Sequence, residues 1–318
     1  YDLGSFHPMS AVYKTTNTKQ KLIDNIRMSD YVTTTTDIFA NCLKKHNKNV
    51  IVLPNAIDKS EKQFQPIDVK SEKIRFGIIC GSSHEHDINI LQGLTNSLPK
   101  DILAKCQFVL CGFDTNGMYR EKDAQTGQIR ERPIMPQETV WYRYEKVLTD
   151  NYKLVSQPYS SFLHRFIPNM DYPYNDKEIY RRCWTKPINQ YATHYNNIDV
   201  LLVPLKECDF NKYKSQLKVI EAGFFHKAII AQNFGPYTID LKPFIKQGNI
   251  DESGNGLLVE SKKNHKQWAK YITTLVQHPE YINKMAENLY NTVKDKYSIE
   301  TITVKRAEFY ESIVNSKL

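Results

Sequence analysis

The 318-residue chain lacks any apolar run long enough to cross a bilayer as a helix. Its first residues, YDLGSFHPMS, have neither the basic nor the apolar segment of a signal peptide. It also lacks an initiator methionine, which leads to the expectation of a fragment or processed product. The six cysteines (Cys42, Cys80, Cys106, Cys111, Cys183 and Cys208) include no CxxC pair and no zinc-type spacing. Cys80 and Cys111 fall inside apolar runs, where a free thiol packs as a small hydrophobe. These features predict a reducing, cytoplasmic setting. The net charge is +8, yet the lysines are scattered, and the dense basic stripe of a nucleic-acid groove is missing. What remains is an anionic ligand such as a nucleotide, or a solvated surface. No fixed-period repeat, low-complexity tract, Ser-His-Asp or Cys-His arrangement is found.

What is present is alternation. Apolar content of 41% and charged content of 25% are ordinary for a soluble globular protein, and the length suits two domains. Short apolar runs alternate with helical patterns, which predicts an α/β protein with parallel sheets. A helix is expected over 19–28, then a strand in YVTTTT, a helix in DIFANCLKKH and a strand in NVIVL running into PNAID. The polar stretch KSEKQFQPIDVKSE reads as a linker, with a domain boundary near residue 62. A second series starts with the strand IRFGIIC, the loop GSSHEHD, a helix in INILQGLTNSL and the strand CQFVLCGF. Residues 114–180, rich in Tyr, Arg and Pro, read as an insertion containing an amphipathic helix, ETVWYRYEKVL. Alternation resumes with NNIDVLLVPL, a helix in YKSQLKVIEAGFF, the strand AIIAQ and GNGLLVE, and three helices close the chain.

In such folds ligands bind at the carboxyl ends of strands, where helix N-termini offer free N–H groups to phosphate. DVLLVPL followed by KECDFNKYKSQ puts Ser215, Gln216 and Leu217 at such a point, Ser215 as N-cap. Lys214 and Lys218, which read with Glu221 as one face of that helix, would add positive charge. Glu221 shares the helix face of Lys218 and suits a ribose diol; the alternative is an exposed Lys–Glu pair on a solvated helix. In GSSHEHD, Gly81, Ser82 and Ser83 would let the backbone approach a diphosphate while His84 lines the cleft. His84, His86 and Asp87 as metal ligands are the weaker alternative, because two histidines at i, i+2 define no site. Gly235 and Pro236 form either a second cleft loop or an ordinary turn. VWYRYE and RRCWTKP either stack a ligand or pack as structure.

YKSQLKVIEAG, KAIIAQNFGPY and GNGLLV together resemble the donor-binding half of the family-four retaining glycosyltransferases, which have the GT-B fold. NVIVLPNAID resembles that family's crossing between domains. The resemblance implies two Rossmann-like domains with parallel sheets facing across a cleft, the N-terminal one incomplete here. Residues 1–62 would be the partial acceptor-side domain, 63–297 the nucleotide-sugar-binding domain with the insertion, and 298–318 a helix packing back on the first. It implies transfer of a sugar from a nucleotide-diphosphate donor to a hydroxyl acceptor with retention, without a metal or other cofactor. Glu221 matches the family's ribose-binding glutamate, and the amides of Ser215, Gln216 and Leu217 with Lys214 and Lys218 would stabilise the leaving diphosphate. Two departures stand out. Tyr213 occupies the place of the family's first glutamate. GSSHEHD replaces the Arg and Lys that grip the diphosphate, a role open to Lys214 and Lys218, together with Arg181, Arg182 or Lys186 from the insertion. The competing expectation is a catalytically inactive binding or structural module; another GT-B activity, such as sugar-nucleotide epimerisation, is a minor third.

Overall fold

The computed structural model describes residues 16–164, 175–260 and 265–316. Residues 1–15 of the expected N-terminal unit and 165–174 of the expected insertion lie outside them. Helix α1 (Thr18–Met28) precedes strand β1 (Val32–Thr34), α2 (Asp37–Leu43) and β2 (Val50–Val52). The two strands pair in parallel, Val32 opposite Val50, and α2 supplies the crossover that parallel neighbours need. Thr36 starts α2, its hydroxyl accepting the Phe39 N–H at 3.2 Å. The core here is small: Ala40, Leu43 and Val50, backed by Ile26, Val32, Phe39 and Val52.

Beyond the linker run β3 (Ile74–Ile79), three short helices α3 (Glu85–Ile88), α4 (Leu94–Ser97) and α5 (Lys100–Ala104), and β4 (Cys106–Phe113). An exposed hairpin, β5 (Met118–Lys122) with β6 (Ile129–Pro133), leads to α6 (Val140–Leu148), α7 (Gln157–His164) and β7 (Tyr180–Trp184). Then come β8 (Val200–Val203), α8 (Asp209–Lys212), α9 (Leu217–Phe224) and β9 (Ala228–Gln232). A small hairpin, β10 (Ile245–Lys246) with β11 (Asn249–Ile250), precedes β12 (Leu257–Val259). Helices α10 (Lys266–Gln277), α11 (Glu280–Val293) and α12 (Ile299–Ser316) follow. Among the described residues no helix is long and apolar enough to cross a membrane.

Six strands form one all-parallel sheet in the order β12-β9-β8-β3-β4-β7. Both faces are covered, which is why the strands read as continuous apolar runs. Phe76, Ile78, Phe108 and Leu110 point to one face, under Trp141 and Tyr144 of α6 and Trp268 and Leu275 of α10. Ile79, Val109, Leu201 and Ile229 point to the other, under Val219 and Phe224 of α9 and Leu289 and Val293 of α11. Each such side chain contributes about 1.5–3 kcal/mol by leaving water, so a one-residue slip of register is strongly disfavoured. The chain winds outward from β3 to β7, returns to β8 on the other side of β3, and winds on to β12. The reversal at β3 and β8 opens a crevice at their carboxyl ends, where doubly wound sheets bind ligands.

Two sequence expectations change. The single helix expected in INILQGLTNSL is broken at Gly93, whose φ of 84° belongs to the left-handed region. The 114–180 stretch is only partly an excursion. Its β5–β6 hairpin projects into solvent, but α6 and α7 pack into the main core, and its last residue, Tyr180, begins the edge strand β7. Arg182 hides that strand in the sequence. It is 2% exposed, and its guanidinium donates to both Glu145 oxygens at 2.6 and 2.8 Å.

The last helix returns to the first unit. Ile57 and Tyr297 share a backbone hydrogen bond of 2.9 Å, the Arg306 side chain donates to the Pro54 carbonyl, and the Tyr31 and Phe309 rings meet edge-on at 5.7 Å.

Candidate functional site

A cleft of about 430 Å³ opens at the carboxyl ends of β3, β4 and β7. Its floor is the sheet end itself: Ile79, Cys80, Cys111 and Gly112. Gly112 has φ 101°, and a Cβ there would lie 2.7 Å from the Cys80 carbonyl oxygen, so a side chain is excluded twice over. Burial pushes the Cys80 thiol up to about 12, and that of Cys111 well above its ordinary value, so the floor is uncharged. Trp141 of α6 forms one wall; Thr185, Lys186, Tyr191 and His194 form another. Gly81, Ser82 and His84 come from the loop after β3, and Lys218 from α9.

The β3 loop is braced rather than free. Tyr144 donates its hydroxyl to the Ser82 carbonyl at 3.1 Å and accepts the His84 N–H at 3.0 Å. Asp87, 4% exposed, accepts from the Lys206 amide at 2.7 Å and from Asn211 Nδ2 at 2.9 Å, and lies 2.8 Å from His84 Nδ1. One carboxylate therefore ties the loop after β3 to the loop after β8. A Cβ at Gly81 would meet no atom within 4 Å, which leaves the backbone open on its cleft side.

Of the residues singled out in the sequence, the cleft brings together Gly81, Ser82, His84 and Lys218. Ser83 is exposed and does not line it. Lys214 does not share a helix face with Lys218, because α9 begins only at Leu217. Its ammonium sits 5.0 Å over the Phe210 ring, and burial lowers its pKa against the pull of Asp87. Ser215 is not the N-cap. Gln216 holds that position without a side-chain cap, its amide donating instead to the Tyr297 hydroxyl at 3.0 Å. Leu217 opens the helix beside it, outside the cleft lining.

Glu221 is neither exposed nor a solvated pair. It is fully buried, accepting from the Tyr191 hydroxyl at 2.5 Å and the Tyr195 hydroxyl at 2.7 Å, with Lys218 Nζ at 3.4 Å. It therefore holds two cleft-lining residues, Tyr191 and Lys218, from behind. Burial, then the Glu221 charge, drives the pKa of both phenols upward, so they stay donors. Tyr213 turns away from the cleft, with its ring 5.6 Å from Phe39 and its hydroxyl against the Cys42 thiol. Arg182 cannot grip a ligand, because Glu145 holds it in the core; Lys186 reaches the cleft, donating to Thr193 Oγ1 at 2.6 Å. Gly235, at φ 57°, packs against Lys212, its would-be Cβ 3.1 Å from that Cα. His86 joins no group of three metal-ligating side chains among the described residues.

The sequence does not flag Tyr191 or His194 as site residues, while Trp141 falls in VWYRYE, for which ligand stacking and structural packing are both open. YATHYNN (Tyr191–Asn197) forms a 3-10 segment with no apolar period to flag it.

The arrangement combines two lysines, open backbone at Gly81, aromatic walls and an uncharged floor. Chemically it suits an anion attached to a flat or hydroxylated group.

No family model matches the chain, and no curated protein matches it. Solved structures do. A sucrose-phosphate synthase from Thermosynechococcus elongatus superposes with a TM-score of 0.63 at 16% identity, covering 98% of this chain and 67% of its own. Anabaena HepE in complex with UDP and glucose gives 0.62 at 12%, covering 96% and 70%. An alpha,alpha-trehalose-phosphate synthase (UDP-forming) from Burkholderia vietnamiensis gives 0.58 at 11%, covering 98% and 66%. The chain thus spans about two thirds of the length of each. The α/β architecture of this chain, with its six-stranded parallel sheet, is the GT-B fold of the glycosyltransferases it superposes on.

Proposed function

We propose that the chain is part of a retaining, family-four-like glycosyltransferase that moves a sugar from a nucleoside-diphosphate donor to a hydroxyl acceptor. One observation carries this reading: the cleft at the sheet's carboxyl ends gathers Lys218, Lys186, His84 and the Gly81–Ser82 backbone around an uncharged floor. HepE, with this fold, is in complex with UDP and glucose, which supports a uridine diphosphate donor. Residues 63–297 form the donor-binding domain in this proposal.

Departure of a diphosphate builds negative charge while an oxocarbenium-like centre forms. Lys218 and Lys186 stand where preorganised positive charge stabilises that change, and the braced β3 loop supplies backbone at close range. Glu221 acts behind the cleft, orienting Lys218 and Tyr191 rather than touching the reacting atoms. Lys214 is left out of the phosphate contacts, and the proposal assigns charge compensation to lysines and not to a metal. The test is turnover: UDP-glucose and GDP-mannose are offered with a panel of hydroxyl acceptors. Acceptor-dependent nucleotide release, with the donor's anomeric configuration kept in the product by NMR, is the expected result. Release with inversion rejects the retaining assignment.

A second reading is favoured by Tyr213, which stands at the family's glutamate position and packs on Phe39 instead of facing the cleft. In that case the chain binds nucleotide without turnover, as an inactive interaction module.

A further inference from the structure

His194 is the unexplained residue of the cleft. It is 2% exposed and lines the cavity, and among the described residues neither ring nitrogen has a hydrogen-bond partner. A buried imidazole left unpaired costs free energy comparable to a lost hydrogen bond, so a residue with no structural task at this spot would be disfavoured. Its neighbours explain its charge state. Burial, with Lys186, Lys218 and Arg181 around it, lowers the ring pKa to about 3. The ring is neutral near pH 7 and therefore presents one N–H donor and one bare acceptor nitrogen.

That pair of functions is the wrong equipment for phosphate, which Lys186 and Lys218 already suit. It matches an uncharged group with fixed donors and acceptors. A nucleobase edge is such a group, and the base's faces suit the flat floor of Ile79, Cys80 and Cys111 beside the Trp141 ring. We propose that His194 reads the edge of the donor's nucleobase, and so sets which nucleoside diphosphate the cleft accepts. The inference rests on the nucleotide-sugar reading above and adds the residue that determines its specificity. Discrimination follows from the same burial: a base presenting the wrong edge leaves a desolvated imidazole unpaired, and such mismatches are rejected strongly.

The experiment is titration calorimetry of the full chain with UDP, GDP, ADP and inorganic pyrophosphate, for wild type, His194→Phe and His194→Gln. The two variants are first compared with wild type by thermal melting. Phe keeps the ring and removes both polar atoms; Gln keeps a donor and an acceptor and guards against a folding failure of the first. The expected result is that His194→Phe weakens the preferred nucleotide at least tenfold (~1.4 kcal/mol) and flattens the preference among the three. Pyrophosphate affinity stays within about twofold of wild type, and His194→Gln recovers part of the loss. An equal loss for all four ligands in either variant, or an unchanged preference in a folded His194→Phe, overturns the proposal. Wild type that binds none of the nucleotides overturns the underlying reading instead, and this one with it.

Discussion

Tyr191 donates its hydroxyl to the Glu221 carboxylate at 2.5 Å, joining a residue of the cleft wall to a fully buried charge behind it. Tyr195 and Lys218 complete the ring of partners around that carboxylate. The arrangement lets α9 set the position of the cleft cation without exposing the glutamate.

Removing the carboxylate should therefore be felt as stability. Glu221→Ala leaves two phenols without their acceptor, each costing about 1–3 kcal/mol when buried. A loss of roughly 3 kcal/mol in urea unfolding is expected, and a smaller one for Glu221→Gln, which keeps one acceptor oxygen. A Glu221→Ala variant within about 0.5 kcal/mol of wild type would mean that the network contributes nothing.

Arg182 gives a contrasting case. Its guanidinium pairs with Glu145 in the core, where Tyr180 also donates to Glu145 at 2.8 Å. Arg182→Leu strands a buried carboxylate and should cost about 3–5 kcal/mol, while Arg182→Leu with Glu145→Leu recovers much of it. Nucleotide affinity of the protein still folded in the cold should not change. A selective loss of nucleotide affinity without loss of stability would return Arg182 to the cleft.

His194 predicts a pH dependence with a definite sign. Its folded pKa, lowered to about 3 by burial and then by Lys186, Lys218 and Arg181, lies below its ordinary value of 6.5. The unfolded chain thus binds the extra proton first, and the stability linked to this residue is complete above pH 6.5. It is lost as the pH falls from 6.5 towards 3, by at most about 1.4 kcal/mol per pH unit. Unfolding of wild type and His194→Gln from pH 7 to 4 should show a steeper decline for wild type. Parallel curves would contradict a neutral buried imidazole.

The strands of the main sheet were legible because burial on both faces writes them as unbroken apolar runs: IRFGIIC, CQFVLCGF and AIIAQ fall on β3, β4 and β9. β7 was not, because Arg181 and Arg182 interrupt its pattern and only tertiary pairing with Glu145 makes the second acceptable in a core. The strand-to-helix handover after β8 pointed to Lys218, which lines the cleft, since position at a strand end is a chain-order property. The start of α9 was misplaced because Ser215 looks like a cap, whereas Gln216, tied to Tyr297, holds that position. Lys186, Tyr191 and His194 converge on the cleft from a segment without period, and convergence in space leaves no mark in local sequence.

The claim that the cleft holds a nucleoside diphosphate between Lys186 and Lys218 is tested most directly by titrating UDP, GDP and ADP into wild type, Lys186→Ala and Lys218→Ala. One nucleotide should bind wild type, and each variant should weaken it at least tenfold, about 1.4 kcal/mol, with a smaller deficit at high salt. Binding that is absent in wild type, or as tight in both variants as in wild type, would contradict the account.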